Sequence, residues 1–153
     1  MENREFRLKK VLDAVRTNYD YILIDCPPSL GLLTVNALAA AERILIPVQC
    51  EYFALEGLGQ LMKTIELVRG GVNPDLQVLG VLLTMYDKRN QLSQQVLNEV
   101  MKHFPGRVFE AIVPRMVSVA EAPSFGKTLL QFDPNSKAAH AYRQLAEEII
   151  RIA

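Results

Sequence analysis

Thiol and imidazole groups are scarce: the 153 residues hold two cysteines, Cys26 and Cys50, and two histidines, His103 and His140. The cysteines stand too far apart for a CxxC pair, and the spacing of a zinc site is absent. Both are expected to be core thiols in a reducing compartment. There is no surplus of either charge, since lysine plus arginine and aspartate plus glutamate each total 17. That balance excludes the strong positive field of a constitutive nucleic-acid binder and leaves room only for a local patch. Long hydrophobic runs are also missing. The apolar stretches at 21–24 and 78–83 are strand length, well short of a membrane span. The opening, MENREFRLKK, offers no apolar segment for a secretory signal. The expected location is the cytoplasm.

What is present is apolar material in short, ordered blocks. Half the composition is apolar, enough for one hydrophobic core, and residues 1–153 are expected to form a single domain. Phe6, Leu8, Val11, Leu12 and Val15 recur at helical spacing before a break at Asn18 and a β-rich run at 21–25. After Pro27 and Pro28 come an alanine-rich helix at 33–41 and a short strand at 44–46, closed by Pro47. A helix at 54–68 carries Leu55, Leu58, Met62, Ile65 and Val68 on one face and ends at Gly70 and Gly71. A strand at 77–84, a helix at 92–104 and a strand at 108–113 follow. Beyond a Pro-rich loop, a last helix is capped near Ser136 and is expected to bury Ala139, Tyr142, Leu145, Ala146 and Ile149.

Almost wholly apolar strands separated by amphipathic helices imply an α/β fold: a doubly wound, mostly parallel sheet with helices on both faces. Ligands of such sheets sit at the carboxyl ends of the strands. The residues to weigh are therefore 25–29, 49–53, 84–90 and 114–118. In the first of these loops an apolar run ends in a single carboxylate, Asp25. A carboxylate so placed often only caps a turn, but it is also how a strand presents one oxygen ligand toward magnesium on nucleotide phosphates.

The segments Tyr19-Asp20-Tyr21-Ile22-Leu23-Ile24-Asp25-Cys26-Pro27-Pro28-Ser29, Asn36-Ala37-Leu38, Pro47-Val48 and Glu51-Tyr52-Phe53-Ala54-Leu55-Glu56-Gly57 occur in that order. Thr84-Met85-Tyr86-Asp87, Ile112-Val113-Pro114-Arg115, Glu121-Ala122-Pro123-Ser124-Phe125-Gly126, Asp133-Pro134-Asn135-Ser136 and Ala141-Tyr142 continue the series. Together they resemble the ParA/Soj-type partition ATPases over nearly the whole chain, as the C-terminal portion of an incomplete P-loop NTPase fold.

The resemblance implies specific roles. Asp25 would be the Walker B carboxylate, holding magnesium through water. Cys26, Pro27, Pro28 and Ser29 would belong to the switch segment that senses nucleotide state. Thr84, Met85, Asp87, Pro114 and Arg115 would border the adenine. Lys88 and Arg89 would contact DNA phosphates without sequence preference, with Lys127 as a further cation. Ser118 departs from the pattern, standing where many relatives carry a second basic residue, so the implied DNA binding is weak unless Lys127 or Lys137 compensates. The cofactors implied for the complete protein are ATP and magnesium, with neither bound tightly by these residues alone. The implied partners are a second copy, a ParB-like protein and nonspecific DNA, with no membrane; DNA binding would place the protein at the nucleoid.

Gly126-Lys127-Thr128 looks like the tail of a phosphate-binding loop, but Glu121 occupies the place of that loop's first glycine. Gly57-Leu58-Gly59 fails as a dinucleotide fingerprint because Met62 takes the third glycine's place. No glycine-rich KGGxGKT-type loop precedes Asp25, and with it go the backbone N–H groups and lysines that stabilise a triphosphate. The expectation is that this chain alone does not hydrolyse ATP. The strand at 21–25 should then pair directly with 44–48, or find a partner copy. Two other readings compete: a catalytically dead relic that binds protein or DNA, and a MinD-type membrane ATPase. The second is disfavoured because the terminal helix carries acidic and basic residues alike.

Overall fold

The computed structural model describes residues 3–26 and 31–152. Its sheet has the order β1-β2-β3, made by β1 (Arg43–Gln49), β2 (Gln77–Tyr86) and β3 (Val108–Pro114). Gln77 N–H donates to Glu42 O and Cys50 N–H donates to Thr84 O, each at 2.9 Å, so β1 and β2 advance together and are parallel. β2 and β3 are also parallel. The burial patterns follow from this order. In β2 the run Gly80, Val81, Leu82, Leu83 is buried without alternation, as in a central strand covered on both faces. β1 and β3 alternate between buried and more exposed positions, as edge strands do.

Among the described residues seven helices flank these strands: α1 (Arg7–Asp13), α2 (Leu32–Ala40), α3 (Ala54–Gly71), α4 (Gln91–His103), α5 (Val117–Glu121), α6 (Leu129–Phe132) and α7 (Lys137–Ile152). Short 3-10 turns lie at Arg4–Phe6, Arg16–Asn18 and Ala122–Phe125. This is the doubly wound parallel α/β architecture, with helices on both faces of the sheet.

The chain divides into two compact units, one of residues 1–44 with 59–79 and one of 45–58 with 80–153. In the first, the buried amide of Asn36 joins the N-terminal turns to α2. It accepts from Leu8 N–H at 3.2 Å and donates to Arg4 O and Leu32 O, each at 2.9 Å. Asn73, also buried, donates to Leu38 O at 2.9 Å and to Ala41 O at 2.7 Å, satisfying carbonyls at the end of α2.

In the second unit, Asn90 caps α4 by accepting from Leu92 N–H at 3.0 Å, and Ser93, Val96 and Val100 form its buried stripe. Ser136 Oγ accepts from Ala139 N–H at 3.1 Å and starts α7, which packs on β3 and buries Ala138, Ala139, Ala141, Leu145 and Glu148. Gly80 permits the β2–β3 approach: a Cβ there would stand 2.8 Å from Phe109 Cε2 and 3.0 Å from Arg107 O.

Four expectations need correcting. Residues 21–26 form no strand and do not pair with 44–48; Tyr21, Ile22 and Leu23 are exposed, Leu23 to 93%. An apolar β-branched run becomes a strand only where a neighbouring strand takes its hydrogen bonds, and none does so among the described residues. Pro47 does not close β1 but lies inside it, at an exposed position of an edge strand, where the missing N–H leaves no ladder bond unmade. The first helix is shorter than its periodicity suggests and buries none of its residues. On α7, Tyr142 and Ala146 are exposed and Ile149 is half-buried, while the charged Glu148 is buried.

Candidate functional site

At the carboxyl ends of the strands in the second unit, a cleft of about 760 Å³ opens between the loops after β1, β2 and β3. Three of the four loops singled out in the sequence contribute: Gln49 to Phe53, Asp87 with Asn90, and Arg115. Thr84 Oγ1 donates to Val48 O at 3.3 Å and Ser93 Oγ donates to Cys50 O at 3.1 Å, tying the end of β1 to β2 and α4. Arg115 N–H donates to Tyr86 O at 2.9 Å, fixing the exit of β3 beside that of β2.

The end of β2 is irregular. Between the pairs Leu83↔Ile112 and Tyr86↔Pro114, β2 advances three residues and β3 two. Met85 lies in that stretch with φ +55°, a left-handed conformation that costs a non-glycine residue roughly 1–2 kcal/mol. The extra residue turns the end of the strand, and Thr84, Met85 and Asp87 follow it. Held strain of this kind is common at binding sites.

Two ion pairs dominate the electrostatics. Arg115 bonds to Glu51, joining the exits of β3 and β1 across 64 positions of sequence. Asp87 takes Arg89 in a fork, Nε to Oδ1 at 3.1 Å and NH2 to Oδ2 at 3.0 Å, and Oδ1 also accepts from Arg89 N–H at 3.0 Å. The Arg89 side chain and then its backbone N–H hold the Asp87 carboxyl below its usual pKa, and the charge of Arg115 adds to this. Glu51 and the edge-to-face pair Tyr52–Phe53, with ring centroids 5.1 Å apart, enter the site without having been assigned a role in the sequence. Their loop, 49–53, is among those the sequence marks out, but a pairing of Glu51 with Arg115 across such a separation has no local signal.

The other sequence-derived positions fall as follows. Pro114 ends β3, half-buried. Lys88, Arg89 and Lys127 are exposed on the second unit, Lys127 just after Gly126, whose φ is +62°. Asp25 and Cys26 belong to the first unit and are exposed, so Cys26, unlike the buried Cys50, is not the core thiol expected of it. Partial burial and then the adjacent Asp25 raise the Cys26 pKa. Pro27, Pro28 and Ser29 lie outside the described residues. Among the described residues there is no group of three or more metal-ligating His, Cys, Asp or Glu side chains, and no helix is long and apolar enough to cross a membrane.

Known proteins share this architecture. The chain superposes on cobyrinic acid a,c-diamide synthase from Mycobacterium smegmatis, solved with a bound ATP analog and magnesium. The TM-score is 0.83 at 38% identity, over 99% of this chain and 55% of that one. The cell division ATPase MinD of Pyrococcus furiosus matches with a TM-score of 0.79 at 26% identity, over 97% and 59%. The class is therefore that of the ParA/MinD-type P-loop ATPases. A family model described as an AAA domain matches residues 1–78. The chromosome partitioning protein ParA of Caulobacter vibrioides is 56% identical over 149 residues, covering 96% of this chain and 56% of the relative. The sporulation initiation inhibitor protein Soj of Bacillus subtilis is 55% identical over 147 residues, covering 96% and 58%. The chain belongs to the ParA/Soj family and spans a little over half the length of these relatives.

Proposed function

We propose that the chain is part of a ParA/Soj-type partition ATPase whose complete form binds ATP with magnesium, dimerises, coats DNA without sequence preference and works with a ParB-like partner in the cytoplasm. The observation that carries this reading is the convergence of Glu51, Asp87 and Arg115 on one cleft, in a chain 56% identical to a chromosome partitioning ParA. A cleft of that size, with an aromatic pair and ion-paired polar groups in its wall, suits a purine base better than a triphosphate. Thr84, Met85, Asp87, Pro114 and Arg115 would border the base.

Asp25 is a lone carboxylate, which suits magnesium, an ion usually held by one or two carboxylates together with phosphate oxygens and water. Bound there, the metal would neutralise charge on the transferring phosphoryl group. Cys26, Pro27 and Pro28 would couple that position to the state of the nucleotide. Lys88, Arg89 and Lys127 would meet the DNA backbone as point charges and a fork.

These 153 residues include no glycine-rich phosphate loop, so by themselves they neither bind ATP tightly nor hydrolyse it. The test has two arms on the purified chain with magnesium. Phosphate release from ATP should match buffer. Binding to duplex DNA should be weak, should fall with salt, and should lose both strength and salt slope in Arg89→Ala and Lys127→Ala. Hydrolysis well above buffer, or DNA binding indifferent to both substitutions, would contradict the reading.

A further inference from the structure

The Arg89 side chain is 84% exposed, yet its guanidinium is engaged. Both its Nε and NH2 groups face the Asp87 carboxylate, at 3.1 and 3.0 Å. Two parallel N–H···O bonds to a planar anion are the geometry with which arginine also grips a phosphate. A carboxylate so placed occupies the Nε/Nη2 edge of the guanidinium, one of the edges a phosphodiester would grip.

The turn that carries the pair does not depend on it. Asn90 N–H donates to Asp87 O at 3.0 Å, Asn90 Oδ1 caps α4 through Leu92 N–H at 3.0 Å, and Gln94 Nε2 donates to Lys88 O at 2.8 Å. The backbone of 87–90 is thus held from α4. Asp87 Oδ1 also takes Arg89 N–H at 3.0 Å, a contact that an asparagine carbonyl oxygen can make equally well.

We propose that Asp87 is an internal competitor for the phosphate-binding donors of Arg89, so that the affinity of the loop for a phosphodiester backbone is set by exchange of the guanidinium between Asp87 and a phosphate. This rests on the reading above that Arg89 contacts DNA. An exposed ion pair of this type is weak, so its release should tighten DNA binding only about 2- to 5-fold. Neutralising Asp87 also lets Arg89 hold the phosphate in a larger share of the complexes. The slope of log affinity against log salt should therefore steepen by up to about 0.9, the value of one phosphate contact.

The experiment is a double-mutant cycle on the full 153-residue chain, read by fluorescence anisotropy on one duplex over a salt series. Its four proteins are the native chain, Asp87→Asn, Arg89→Ala and the double variant, each checked for native far-UV circular dichroism. The expected result is a tighter, more salt-sensitive Asp87→Asn protein whose gain disappears when Arg89 is also alanine. A weakened Arg89→Ala with an unchanged Asp87→Asn would overturn the competition and leave Arg89 as a DNA contact. An equal gain from Asp87→Asn in both backgrounds would also overturn it, by showing a general charge effect. No change in Arg89→Ala, or no DNA binding by either the native chain or Asp87→Asn, would remove the DNA reading at Arg89 and the competition with it.

Discussion

Ala111 N–H donates to Glu148 Oε1 at 2.8 Å, and the neighbouring N–H of Glu110 donates to Oε2 at 2.9 Å. The reason lies in the register: between Val81↔Val108 and Leu83↔Ile112, β2 advances two residues and β3 four. Extra residues in one strand leave amides without a ladder partner, and the Glu148 carboxylate, buried on α7, accepts from two of them.

Replacing Glu148 with glutamine keeps the volume but exchanges one acceptor for an NH2 donor facing a backbone N–H. The expected loss is about 1–3 kcal/mol, the range for leaving a buried donor unsatisfied. A urea midpoint shift without a change in slope would register it. An unshifted midpoint would mean that the bulge amides find other acceptors.

Gly80 makes a separate demand on the same strand pair. In Gly80→Ala the new Cβ meets the Phe109 ring at 2.8 Å, and that ring is itself fully buried. Overpacking of this kind costs about 1–3 kcal/mol. Adding Phe109→Leu should make the double variant less unstable than the sum of the two single changes. Strict additivity would show that the ring is not what the methyl meets.

Cys50 gives a pH signature. Burial raises its thiol pKa from 9.0 to about 11. The folded state therefore holds the proton over a range in which the unfolded chain has lost it. The resulting stability, roughly 2–3 kcal/mol by linkage, is complete below pH 9.0 and is lost as pH rises toward about 11. Unfolding free energies of the native chain and Cys50→Ala should draw together across that interval. At about pH 8, a thiol reagent should modify the exposed Cys26 and spare the buried Cys50 until the chain unfolds. Equal reaction of the two thiols in folded protein would contradict this.

The order of elements was legible because β2, β3, α3, α4 and α7 each carry their period locally: unbroken apolar runs for strands, three- and four-residue spacing for helices. Their observed limits fall within a few residues of the expected ones. Residues 21–25 carry the same strand signal and form no strand, since a strand is a property of two segments and only one is visible in any local pattern. Pro47 misled for a related reason, because whether proline breaks a strand depends on which of its edges is paired. At the site, loops after strands could be found from the sequence, and three of them do line the cleft. The pairing of Glu51 with Arg115 and the fork of Arg89 onto Asp87 could not, because each depends on where strand ends and a turn arrive in space. The buried Glu148 was hidden by its charge: a periodicity argument expects an apolar residue and has no knowledge of a bulge in β3.

If the exits of β1, β2 and β3 form the base end of a nucleotide site, a magnesium-ATP titration of the isotopically labelled chain, followed through its backbone amide resonances, will locate it there. Weak, saturable shifts are expected, gathered at Glu51, Thr84, Met85, Asp87 and Arg115. Shifts gathered instead around Phe6, Arg7 and Lys10, where a separate surface depression lies, or no saturable shifts at all, would contradict it.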